Sequence, residues 1–139
     1  MFLNGARWQR YHHTKLANAV FTSELAHKLS AKGSGIKAVV AAPGLAATNL
    51  QVTTAKDDGM PESYIMKYLA QSAEDGSMPL LTCVAAAGVE NGDLYEPGGM
   101  LRGSGLPKKF PLEKNSTDEK SRRMLWEESE KACGEEWKL

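Results

Sequence analysis

Ile36-Lys37-Ala38-Val39-Val40-Ala41-Ala42, followed at once by Pro43-Gly44, is the stretch whose reading decides how this chain folds. It is almost continuously apolar rather than alternating. That pattern suits a strand over 36–42 that is covered on both faces within a parallel sheet. Pro43-Gly44 ends it. Ahead of it stands Lys32-Gly33-Ser34-Gly35, with glycine available for a left-handed helix cap. Further back, Leu16, Val20, Leu25 and Leu29 recur at spacings of four and five, and Ala17, Phe21 and Ala26 widen the apolar face. The spacing predicts a helix over 11–32, which its alanines favour; residues 1–10 carry no pattern. A long helix, a glycine turn and a buried-type strand make an α/β unit. Ligands of open α/β sheets gather at the carboxyl ends of strands, so chemistry is to be sought just after Ala42.

Beyond the strand, residues 45–61 show no period and contain Asn49, Asp57-Asp58-Gly59 and Pro61, which reads as a loop. A short helix from Glu62 to about Gln71 is expected, with Tyr64, Ile65, Tyr68 and Leu69 on one face. Ser72-Ala73-Glu74-Asp75 has the form of a capping box. Met78, Leu81, Val84 and Ala85 then predict a buried stripe, with Pro79 kinking or delaying the helix and Gly88 ending it. Asn91-Gly92-Asp93 is a turn, and Leu94-Tyr95-Glu96 a short strand before Pro97. Gly98 to Pro111 reads as loop. A last helix is expected over 117–133, capped by Ser116 or Thr117, with Met124, Leu125 and Ala132 as its apolar face. Gly134 ends it, and Trp126 and Trp137 are placed to dock the tail. Gly33-Ser34-Gly35 and Gly103-Ser104-Gly105 both lack the third glycine and the strand-to-helix setting of a dinucleotide loop.

The bulk numbers narrow the function. At 139 residues the chain is one domain or part of one. Lys+Arg and Asp+Glu both number 17, so no net field recruits nucleic acid or an anionic membrane surface. Cys83 and Cys133 form no disulfide framework, which fits a reducing, cytoplasmic-type compartment; Cys83, among Leu80, Leu81 and Val84, reads as a small core residue. No apolar run approaches the length of a membrane span, and the first residues lack the cationic start of a signal peptide. His12-His13 is not a metal pair, because adjacent helix residues face different ways and no third ligand has suitable spacing.

One pair carries chemistry. Tyr11 and Lys15 stand four apart at the head of the helical pattern, hence on one face, one turn above the other. An ammonium beside a phenol favours the phenolate and makes the phenol a usable acid and base near neutrality.

Taken in order, Tyr11-x-x-Thr14-Lys15-Leu16-Ala17-Asn18, the following strand, Pro43-Gly44-x-x-x-Thr48-x-Leu50 and Leu125-Trp126-Glu127-Glu128-Ser129-Glu130 resemble the short-chain dehydrogenase/reductase family. The finer similarity is to its retinol-dehydrogenase-like, protochlorophyllide-reductase-like and WW-domain-oxidoreductase-like members. The resemblance runs from about Tyr11 to Gly134. It implies the C-terminal half of a Rossmann-type doubly wound parallel sheet. Residues 11–32 would be the catalytic helix, 36–42 a sheet strand, 43–71 the cofactor and substrate loop, and 72–139 the C-terminal helices and tail. It implies an NAD(P)-dependent oxidoreductase that transfers hydride between a nicotinamide and a carbonyl or alcohol. Tyr11 would be the general acid/base. Lys15 would bind the nicotinamide ribose and hold down the Tyr11 pKa. Pro43, Gly44 and Thr48 would line the nicotinamide. Asn49, Tyr64 and Tyr68 would belong to the substrate loop, whose composition leans to a lipophilic substrate. The resemblance also implies a dimer through helix 11–32.

Three parts of the family pattern are missing from the 139 residues: the glycine-rich strand-turn-helix that holds a pyrophosphate, the Asn-Asn-Ala-Gly-type strand end, and the catalytic Ser upstream of the Tyr. The Ser before the family's Lys is here Thr14. The expectation is therefore a reductase without its N-terminal dinucleotide-binding half, marginal as a monomer and inactive alone. The other readings are a cofactor-free binding or dimerisation module and a truncated, non-catalytic fragment.

Overall fold

A computed structural model describes residues 6–46, 70–99 and 102–138. The chain divides into two compact units, the first formed by Met1–Val40, Val89–Asp93 and Pro111–Leu139, the second by Ala41–Gly88 and Leu94–Phe110. The architecture is mixed α/β.

The first unit is built on helix α1, Ala6–Ala31. It starts ahead of the expected Tyr11, because Ala6 to Arg10 contain no breaker, so Tyr11 stands in its second turn. Its end follows the glycine signal. Gly33 takes φ +63, its N–H reaches the Ser30 carbonyl at 2.9 Å, and the Ser34 N–H reaches that of Leu29 at 3.0 Å. That is a Schellman closure. Ala26 and Leu29 form a small core with Ala38, against which Leu25 packs. Asn91 fastens the approach to the strand. Its Nδ2 donates to the Ala26 carbonyl (2.7 Å) and to Ser30 Oγ (2.9 Å), and its Oδ1 accepts from the Ala38 N–H (2.8 Å).

Two further helices, α3 (Lys114–Thr117) and α4 (Glu119–Cys133), pack on α1. (Helix α2, Ala73–Ala85, belongs to the second unit.) Asp118, not Ser116 or Thr117, caps α4: its carboxylate accepts from the Ser121 N–H at 2.9 Å. Ser116 is buried inside α3 and the Thr117 hydroxyl is bonded to the Lys114 carbonyl, so neither is available. The inward face of α4 also differs from the expected one. Met124 is 58% exposed and Ala132 is exposed, whereas Trp126 is only 3% exposed. The indole stacks on Phe21, with ring centroids 5.2 Å apart, and Arg122 reaches Glu24 at 3.4 Å. Burying the largest ring, with an ion pair beside it, decides the helix rotation. Trp137 docks edge-on against Trp126 and Phe21, as the tail was expected to do. Glu130 Oε1 accepts from both Trp126 Nε1 (2.8 Å) and the Trp137 N–H (3.0 Å). Gly134, at φ 71, closes the helix.

Strand β1, Val40–Ala41, leads into the second unit. Strand β2 (Leu94–Pro97) runs parallel to it, and β3 (Pro107–Phe110) pairs antiparallel with β2, Leu94 opposite Phe110 and Pro97 opposite Pro107. Regular strand geometry is shorter than the expected 36–42. The parallel bonding still extends on either side: the Gly92 N–H to the Ala38 carbonyl and the Ala42 N–H to that of Tyr95. The expected cover on both faces is not found. Ile36 is 68% exposed, Val39 and Val40 are half-buried, and only Ala38 of the stretch is buried. A continuous apolar run reports a strand suited to burial; the neighbours that would bury it are a separate matter. β3 falls where a loop was expected, since Lys108-Lys109 is recruited by pairing with β2 rather than by its own propensity.

Helix α2, Ala73–Ala85, opens on Ser72, whose Oγ accepts from the Asp75 N–H at 3.0 Å. It begins as the capping box predicts and runs through Pro79, ending short of Gly88. The expected stripe of Met78, Leu81 and Val84 is turned outward (38%, 53% and 81% exposed), and Ala85 is exposed as well. The buried face is Gly76 and Pro79, with Thr82 and Cys83 half-buried, so Cys83 is a core-edge rather than a core residue. Closeness decides this. A Cβ on Gly76 would stand 2.6 Å from the Cβ of Ala46, so only glycine lets the helix seat there. The helix expected to end at Gln71 does not do so, because Gln71 forms a parallel bridge with Ala46.

Candidate functional site

On α1 the predicted pair is brought together. Lys15 Nζ lies 5.4 Å from the centroid of the Tyr11 ring, over its face. The one-turn spacing of the helix brings the two side chains together. Tyr11 is 41% exposed, and its carbonyl accepts from the Thr14 hydroxyl at 2.7 Å. The Thr14 side chain is thus spent on its own helix. The His12 ring meets that of Tyr11 edge-on at 5.9 Å. A shallow groove of about 460 Å³ lies further along α1, lined by His13, Leu16, Val20, Asn115, Ser121 and Leu125; Tyr11 and Lys15 do not line it.

In the second unit, Pro43 and Gly44 are exposed just past the carboxyl end of β1. Gly44 takes φ +66, and a Cβ there would come within 2.8 Å of the Gly103 carbonyl oxygen and of Pro97 Cγ. Both conformation and crowding therefore demand glycine. The Leu45 N–H donates to the Gly103 carbonyl at 2.8 Å. Gln71, 8% exposed, ties the turn from the other side. Its N–H donates to the Leu45 carbonyl (2.8 Å), its Nε2 to the Pro43 carbonyl (2.6 Å), and its Oε1 accepts from the Gly105 N–H (3.2 Å). Sequence reasoning missed Gln71. Its only local sign is its place directly before the Ser72 cap.

Tyr11 and Lys15 belong to the first unit and Pro43 and Gly44 to the second. Thr48, Asn49, Tyr64 and Tyr68, and the helix expected from Glu62, lie outside the described residues. Both short glycine motifs are committed to structure: Gly33 closes α1, and Gly103 and Gly105 pack and bond the Pro43–Gly44 turn. None of the 139 residues forms the glycine-rich strand-turn-helix pattern that a pyrophosphate requires.

Asp118 is held below the usual carboxylate range by the Ser121 N–H first and then its hydroxyl, and Lys131 is raised by its hydrogen bond to Glu128. Among the described residues no three His, Cys, Asp or Glu side chains could hold a metal ion, and no helix is long and apolar enough to cross a membrane.

No protein-family model and no curated protein matches the chain. Among solved structures it is similar to the crystal structure of an uncharacterized protein from Mycobacterium paratuberculosis, at 26% identity and a TM-score of 0.66. The similarity covers 95% of this chain and 41% of that one, so this chain spans less than half the length of the structure it matches.

Proposed function

We propose that this chain carries the proton-transfer side of a short-chain dehydrogenase/reductase-type oxidoreductase acting on a carbonyl or alcohol, and is incomplete as an isolated chain. The observation that carries the reading is the Lys15 ammonium held 5.4 Å over the Tyr11 ring on one exposed helix face. The glycine-requiring turn just past a parallel strand supports it, because that is where α/β sheets bind ligands. The resemblance to less than half of a longer structure is consistent with a site shared with further chain.

A nicotinamide cofactor supplies the hydride in this chemistry. Tyr11 gives its phenolic proton to the carbonyl oxygen in reduction and accepts it from the alcohol in oxidation. Lys15 contributes a positive charge beside the phenol and donors for ribose hydroxyls. Pro43, Gly44 and Thr48 would hold the nicotinamide, and Asn49, Tyr64 and Tyr68 would supply contacts to a lipophilic substrate. The other reading, a cofactor-free binding or dimerisation module, draws on the outward apolar face of α2, where Leu80, Leu81 and Val84 are all more than half exposed.

The test joins this chain to the dinucleotide-binding half of a short-chain reductase and follows NADPH oxidation with lipophilic aldehydes and ketones. Turnover is expected, and Tyr11→Phe lowers kcat by roughly 10²–10⁴-fold with NADPH affinity kept. Turnover that Tyr11→Phe leaves intact, or a folded fusion with no turnover, favours the binding module.

A further inference from the structure

We propose that Gln71 is a positioning residue that orients the Pro43–Gly44 peptide so that the Gly44 N–H faces outward as a hydrogen-bond donor to an amide-type acceptor, such as a nicotinamide carboxamide oxygen. The identity of that acceptor rests on the function proposed above; the orientation of the peptide does not.

Pro43 has no N–H, so a partner can hold it only by its carbonyl. Gln71 Nε2 takes that carbonyl at 2.6 Å from a buried position. The peptide is planar and trans, so its C=O and N–H point to opposite sides. Drawing the Pro43 oxygen toward buried Gln71 aims the Gly44 N–H away from it, on an exposed residue. That N–H makes no bond to the described residues. The left-handed backbone of Gly44 is what allows the chain to leave the peptide in this orientation.

The primary amide suits the task. It carries a donor and an acceptor together. Here the donor holds Pro43 and the acceptor holds the Gly105 N–H, while the Gln71 backbone N–H holds Leu45. A carboxylate would keep the acceptor and lose the donor. A thioether of the same length would lose the donor outright and keep at most a weak acceptor. These three contacts reach 28 and 34 positions along the chain for the side chain alone, so one buried residue locks the turn to two separate segments.

Amide hydrogen exchange and ¹⁵N shifts of the 139-residue chain test this, with Gln71→Glu and Gln71→Met as variants. In the wild type, the Gly44 amide is expected to exchange at least tenfold faster than those of Gln71 and Gly105. In Gln71→Met, Gly105 protection falls by more than tenfold and the Gly44 amide shift moves. In Gln71→Glu, Gly105 protection stays and the Gly44 shift moves. A purely space-filling Gln71 predicts that Gly44 is indifferent to both variants, and that outcome overturns the proposal. If a variant unfolds, the wild type still decides: a Gly44 amide as protected as Gly105 overturns it. A turn that behaves as expected in a protein whose fusion transfers no hydride refutes the enzymatic reading and leaves the peptide orientation standing.

Discussion

The Asp118 carboxylate accepts both the backbone N–H of Ser121 (2.9 Å) and its hydroxyl (2.8 Å). These bonds favour the ionised form and draw the pKa of Asp118 below the usual range. A folded-state value below the unfolded one places the stabilisation above the unfolded pKa of about 3.9, with loss as pH falls through the lower folded value. Asp118→Ala is therefore expected to reduce helix content near pH 7, read by far-UV circular dichroism, with the difference from wild type closing in strong acid. A gap that persists undiminished at acid pH would assign the effect to something other than the charged cap. Gln71 lies at the same scale and shows what a sequence conceals. Its partners Pro43 and Gly105 are far away along the chain, and no local pattern encodes such a contact.

The caps at Gly33, Ser72 and Gly134 and the inward face of α1 were legible; the N-cap of α4 and the inward faces of α2 and α4 were not. Gly33, Ser72 and Gly134 act on their own nearest turns, so their caps follow from the residues alone. Which side of α2 or α4 is buried depends on what the helix meets. Gly76 and Pro79 win on α2 through close approach, and Trp126 wins on α4 through size. Trp126→Ala is expected to destabilise by about 3–5 kcal/mol, as removal of a large buried ring does. Val84→Ser, at a position 81% exposed, should stay within about 0.5 kcal/mol. Urea denaturation of both variants checks the pair. A reversed order would restore the stripe that periodicity alone suggests.

For the molecule as a whole, the α/β class was readable from the apolar run before Pro43 and from the parallel bonding it makes with residues 92–95. What that run did not reveal is how little of it is covered, with Ile36 68% exposed. The Tyr11–Lys15 contact was legible because one helix builds it, and the Pro43–Gly44 turn because its two residues signal it. The most direct test is NADPH fluorescence titrated against the 139-residue chain alone and against the same chain joined to a dinucleotide-binding half. No saturable enhancement is expected for the chain alone, and saturation in the micromolar range for the joined protein. Micromolar binding by the chain alone, or none by a folded joined protein, would contradict its assignment as the proton-transfer side of a shared site.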